Sequence, residues 1–164
     1  MTSRCKLLTL VASLVAALAA PGAHAGVVEV VFDQPDRYTD AGRGTDAEAV
    51  RQALARHLQK LGRDGLPAAQ TLRITVTDID LAGDARPRGR WGQDLRVMTG
   101  RTDWPAIALR YTLSEGAREL TSGTERLVDM AYMDRLPAPP APYVYEERLL
   151  TRWFTQRFGS GPAH

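Results

Sequence analysis

Apolar and polar positions alternate most regularly across residues 72–83, LRITVTDIDLAG, and the alternation changes phase once within that stretch. Leu72, Ile74 and Val76 fall on one side of an extended chain, with Arg73, Thr75 and Thr77 on the other. This is the period of two of a half-buried strand rich in β-branched residues. Beyond Val76 the apolar residues shift to odd positions, Ile79 and Leu81, and Asp78 and Asp80 take the even ones. A β-bulge near Thr77 and Asp78 would preserve one buried face and return both aspartates to water. An unbulged strand would carry both carboxylates along the buried face, where an unpaired charge costs several kcal/mol or is forced to protonate. A bulged strand at the centre of the sheet is therefore the expectation.

The pattern elsewhere predicts the remaining elements. Residues 27–32, VVEVVF, form a short apolar run suited to a strand buried on most of both faces. Residues 33–44 are polar with Pro35, Gly42 and Gly44, hence a loop. Thr45 and Glu48 have the spacing of a capping box; Ala47, Val50, Leu54, Leu58 and Leu61 follow at helical spacing, and Gly62 is the expected stop. His57, at the edge of that stripe, is read as having no chemical task. Strand, helix and central strand make a β-α-β unit, right-handed if its strands are parallel. Residues 84–105 read mostly as loop, with a short strand at 95–98. Residues 106–113 alternate as a clear strand, and 118–130 return as a wetter one, completing a hairpin. Residues 135–142 contain four prolines and are irregular. Residues 143–158 are helical, with Tyr145, Leu149 and Trp153 beside Leu150, Phe154 and Phe158. The fold class is α+β: a two-layer sandwich with a mixed, mostly antiparallel sheet of four or five strands, two helices on one face and the other face open.

Residues 1–25 change the picture of where this chain works. Arg4 and Lys6 precede an apolar run from Leu7 to Ala20, and Ala23, His24 and Ala25 supply small and cleavable positions before Gly26. That is the form of a secretory signal peptide cleaved after Ala25, with an apolar run too short for a good membrane span. The mature chain is expected in the periplasm as one domain, residues 26–158, with a disordered tail at 159–164 and no membrane span. Cys5, the single cysteine, lies before the apolar run, which gives no lipid-anchor signal and leaves a mature chain without disulfides. About 140 residues are enough to bury a core without them. Loss of Arg4 and Lys6 takes the formal charge of +2 to zero, which removes support for a nucleic-acid partner.

Candidate chemistry is sparse. There is no glycine-rich phosphate loop, paired-histidine zinc motif or nucleophile elbow. Asp78, Asp80 and Asp84 form an acidic cluster at the end of the central strand. Their spacing resembles the opening of a calcium loop, but the other ligands are missing. Arg86, Arg88 and Arg110 are expected to pair with them, because guanidinium suits bidentate carboxylate contacts; no metal ligand and no cofactor is assigned. Arg86, Arg88, Arg90 and Trp91 could form a recognition surface able to stack on rings and pair with anions; the competing reading is a solvated loop whose tryptophans, Trp91 and Trp104, tuck onto the core. Solvation accounts for Asp129 and Asp134, and the helix dipole for Glu146 and Glu147.

The succession VVEVVFDQPDRYTD, TDIDLAG, AIALRYTL, ERLVDMAYM and YEERLLTRWF resembles the bacterial domain-of-unknown-function family 3016 across nearly the whole mature chain. The resemblance implies a secreted or periplasmic single-domain protein without an assigned activity, and it transfers no catalytic residue. The expected function is a non-enzymatic envelope module that binds a protein or a cell-wall polymer. The alternatives are a carboxylate-dependent hydrolase and a calcium-stabilised domain; neither ligand identity nor oligomeric state follows from the sequence. Mass spectrometry of the exported protein should find Gly26 at its N-terminus, and retained Cys5 or an attached lipid would contradict the leader assignment.

Overall fold

The computed structural model describes residues 26–86, 95–134 and 141–159. The elements run β1 (Val27–Phe32), a short 3-10 turn (Pro35–Arg37), α1 (Thr45–Gly65), β2 (Gln70–Asp80), β3 (Asp84–Arg86), β4 (Leu95–Val97), β5 (Ala106–Glu115), β6 (Arg118–Val128) and α2 (Val144–Phe158). The main sheet has the order β1-β2-β5-β6, while β3 and β4 form a separate two-stranded ribbon. β1 runs parallel to β2, and the other pairings are antiparallel. This is the expected α+β class with a mixed sheet.

The phase change in β2 is a bulge. Val76 pairs with Leu109 and the next partners are Asp78 and Ala108, so Thr77 is the extra residue. Leu72, Ile74, Val76 and Ile79 thus stay on one face opposite Leu113, Tyr111, Leu109 and Ile107, and all eight belong to one buried apolar cluster. Val50, Leu54 and Leu58 of α1 and Leu149, Leu150, Trp153 and Phe154 of α2 belong to the same cluster. The Trp153 ring meets Tyr111 and Phe158 edge-on at centroid distances of 5.6 and 5.4 Å, a geometry favoured by the aromatic quadrupole. The opposite face of the sheet is mostly polar, apart from Val27 and Val31 at its β1 edge. Its arginines are held across strands: Arg73 by Glu29 at 2.9 Å, Arg110 by Asp33 at 3.1 Å and Arg126 by Asp78 at 3.5 Å.

Several local expectations are corrected by tertiary packing. Thr45 forms no capping box: the N-cap is Gly44, whose φ of 54° and ψ of −123° suit glycine, and no side chain caps it. The Glu48 carboxylate instead binds Arg51 at 2.6 Å and Gln52 at 2.9 Å. Gly62 does not stop α1, which continues to Gly65. Its role is close approach, since a Cβ there would lie 2.1 Å from Val28 Cγ2. Asp84–Arg86 is strand, paired with Leu95–Val97, where the sequence read as loop. β6 ends at Val128, two residues early. β1 is an edge strand, so Val27 and Val31 are about half exposed (51% and 52%) instead of buried on both faces. Trp104 is half-buried. The expected leader at 1–25, Arg88, Arg90, Trp91 and the expected tail beyond Gly159 lie outside the described residues. Among those described, no helix is long and apolar enough to cross a membrane.

Trp153→Ala should lower the unfolding free energy by about 3–5 kcal/mol in denaturant titrations, the loss expected for a buried aromatic. A change below ~1 kcal/mol would show that α2 contributes little to the core.

Candidate functional site

Parallel pairing brings the C-terminal ends of β1 and β2 to the same edge of the sheet. After β1, the loop at residues 33–44 turns back along the end of β2 and is fastened there. Asp40 donates its N–H to Ile79 O at 2.9 Å, and Leu81 returns its own N–H to Asp40 O at 3.0 Å. On the other side the chain turns at Gly83, whose φ of 79° favours glycine, and the Gly83 N–H binds Asp103 O at 2.9 Å. Between these two segments lies an open cleft of about 830 Å³. Asp36, Asp40, Asp80, Asp84 and Asp103 line it, together with Arg43.

The five carboxylates are held differently. Asp40 is paired with Arg96 at 2.7 Å. Asp103 is buried and accepts the N–H groups of Thr99 and Arg101 at 2.5 and 3.1 Å. Asp36 and Asp84 are exposed. Asp80 is half-buried, and its carboxyl is pushed above the usual range, first by burial and then by the neighbouring carboxylates of Asp40 and Asp78. Asp36, Asp80 and Asp84 form no ion pair among the described residues. The cleft therefore concentrates negative potential, and its wall geometry focuses that potential toward an incoming cation.

The cluster expected from the sequence is thus divided. Asp78 does not line the cleft and is partly returned to water: it accepts the Thr39 N–H at 2.7 Å and the Thr39 hydroxyl at 2.9 Å, and Arg126 reaches it from β6 at 3.5 Å. Arg110 is engaged by Asp33, and Arg86 sits exposed on β3 without an ion pair to the cluster among the described residues. Arg88, Arg90 and Trp91 are beyond description. No three of the described His, Cys, Asp and Glu residues converge closely enough to ligate a metal ion.

Sequence reading missed the groups that hold the corner beside the cleft. Arg96 Nη1 donates to the carbonyls of Leu81, Ala82 and Gly83 at 3.3, 3.2 and 2.8 Å, while Nη2 binds Asp40. The only available signal was its place in a short strand. Glu146, assigned to the dipole of α2, is buried at 2% exposure and takes the Ala82 N–H at 2.7 Å. Asp129 is likewise buried, with Arg152 at 3.0 Å, and does not rely on solvent. Asp134 is exposed as expected. His57 binds the Thr151 hydroxyl at 2.8 Å and so joins α1 to α2.

Fold and site together define an α+β domain with an acidic cleft where its parallel strands end. A family model described as "Protein of unknown function (DUF3016)" matches residues 26–156, and the chain belongs to that family. No curated protein and no solved structure matches the chain.

Burial is the largest influence on the Glu146 carboxyl and raises it from an ordinary value of 4.5, against the Ala82 hydrogen bond that lowers it. A raised native-state acid binds its proton more tightly than the unfolded chain does. Its contribution to stability is full below the unfolded value and is lost as pH rises through the folded one. Thermal melts from pH 4 upward should therefore show a component of destabilisation that Glu146→Gln removes. Parallel pH profiles for the two proteins would refute this.

Proposed function

We propose that the protein is a non-enzymatic binding module of the cell envelope, and that its acidic cleft receives a lysine- or arginine-bearing segment of a partner protein. The observation that carries this reading is the cleft itself, with Asp36, Asp80 and Asp84 not ion-paired among the described residues. An exposed, charged and open depression suits a cationic side chain better than an apolar small molecule, whose sites are mostly hydrophobic. Placement in the envelope rests on the leader at residues 1–25.

A carboxylate-dependent hydrolase has one feature in its favour, the raised carboxyl of Asp80, since general acids are tuned upward in this way. Two-carboxylate hydrolysis needs a second group set against the first; Asp40, the carboxylate acting most strongly on Asp80, is held by Arg96, and exposed Asp36 and Asp84 are not among the groups that raise the Asp80 carboxyl. The binding reading is therefore preferred.

The test is titration with a synthetic lysine- and arginine-rich peptide at low salt, with an acidic peptide as control. Saturable binding that weakens as salt rises should fall about tenfold, or ~1.4 kcal/mol, in Asp36→Asn/Asp80→Asn/Asp84→Asn. Glu115→Gln/Glu119→Gln, at the far hairpin end, should leave it unchanged. Equal losses in both variants would reduce the effect to general charge, and binding of cell-wall polymer but not peptide would overturn the assignment of a protein partner.

A further inference from the structure

The two edges of the main sheet are guarded unequally. β6 carries Arg118, Glu119, Glu125 and Arg126, and its pairing with β5 is interrupted by a bulge at Leu113/Ser114. Charges and bulges are the usual means of keeping an edge from pairing with another chain. β1 has a single charge, Glu29, and presents Val27 and Val31 half exposed on the face without helices. Asp33 donates its N–H to Val76 O, so odd residues of β1 turn their backbone groups toward β2. By alternation, the N–H and C=O of Val28 and Val30 point out of the sheet edge. Residues 27–31 read VVEVV, the same in both directions.

We propose that β1 pairs antiparallel with β1 of a second copy about a two-fold axis at Glu29, joining the two main sheets into one. In this register Val28 exchanges backbone hydrogen bonds with the partner's Val30, and Val30 with the partner's Val28. Val27 stands opposite the partner's Val31, in the wider-bonded positions where cross-strand side chains approach most closely. The palindrome is what favours a second copy over an unrelated strand. A two-fold axis repeats every contact whatever the sequence; what VVEVV adds is that each off-axis pair, 28 with 30 and 27 with 31, sets valine against valine, like β-branched side chains packing on both sides of the axis. At the axis Glu29 meets the partner's Glu29, and like charges directly opposite weaken pairing. Arg73, held to Glu29 at 2.9 Å, partly offsets that repulsion on each side. A six-residue edge is a small interface, so the dimer is weak and reversible.

Sedimentation of residues 26–164, which contain every described element, should show the average mass rising from monomer toward dimer with concentration. The Val28 and Val30 amides should gain exchange protection in step. Glu29→Gln should tighten the dimer by about three- to fivefold, the worth of removing one opposed charge pair. Val31→Lys should weaken it about tenfold while leaving the melting temperature nearly unchanged, Val31 being half exposed. A chain that remains monomeric even as Glu29→Gln, a dimer indifferent to Val31→Lys, or protection that appears outside β1 would each overturn the proposal.

Discussion

One extra residue in β2 governs both the core and the cleft. Thr77 has no partner in the ladder, and that insertion lets Ile79 occupy the buried face already held by Leu72, Ile74 and Val76. Without it, strict alternation would put Asp78 and Asp80 among the apolar side chains and Ile79 in solvent. The cost of enclosing two unpaired carboxylates is far greater than that of one disrupted ladder position. The bulge also aims the aspartates differently. Asp78 is directed to Thr39 and Arg126, fastening the loop after β1, whereas Asp80 reaches the cleft.

A second constraint is the corner at residues 81–83, where the backbone leaves the sheet and its polar groups lose their ladder partners. Two charged side chains from distant elements replace those partners. Arg96 supplies donors to three successive carbonyls, and Glu146 supplies an acceptor to the Ala82 N–H. A guanidinium is suited to this because its N–H groups are arrayed in a rigid fork. Both groups serve by satisfying buried backbone, which explains why charges are tolerated in so enclosed a place. The corner that forms part of the cleft wall is thereby held in place by β4 and the start of α2, which do not themselves line the cleft.

The distribution of charge follows from the same architecture. Across the open sheet face Glu29 holds Arg73 of the adjacent strand, while Asp33 and Asp78 hold Arg110 and Arg126 from strands one further across the sheet, so these charges are balanced locally. At the end of β1 and β2 the balance fails. Loop and strand termini bring five aspartates around one depression, with Arg96 turned mainly toward backbone carbonyls and Asp40. Local excess of one sign, not net charge, is what would give this surface the selectivity proposed for it.

What the sequence determined by itself was the set of elements whose periodicity reports burial: β2 with its bulge, β5, the stripe of α1 through Val50, Leu54 and Leu58, and the aromatic stripe of α2. Burial of apolar area is a nearly local property, and the pattern along the chain records it directly. Membership of an uncharacterised family was legible too, in the order of five segments. What only the tertiary structure decided was the pairing of charges. Arg96 with Asp40, Arg126 with Asp78, and Arg152 with Asp129 join residues far apart in sequence, and any of the chain's many arginines could have filled those places. The buried state of Glu146 and the contact made by Gly62 were hidden for the same reason. Electrostatic partners and close approaches depend on which surfaces meet in three dimensions, and no periodicity along the chain encodes that.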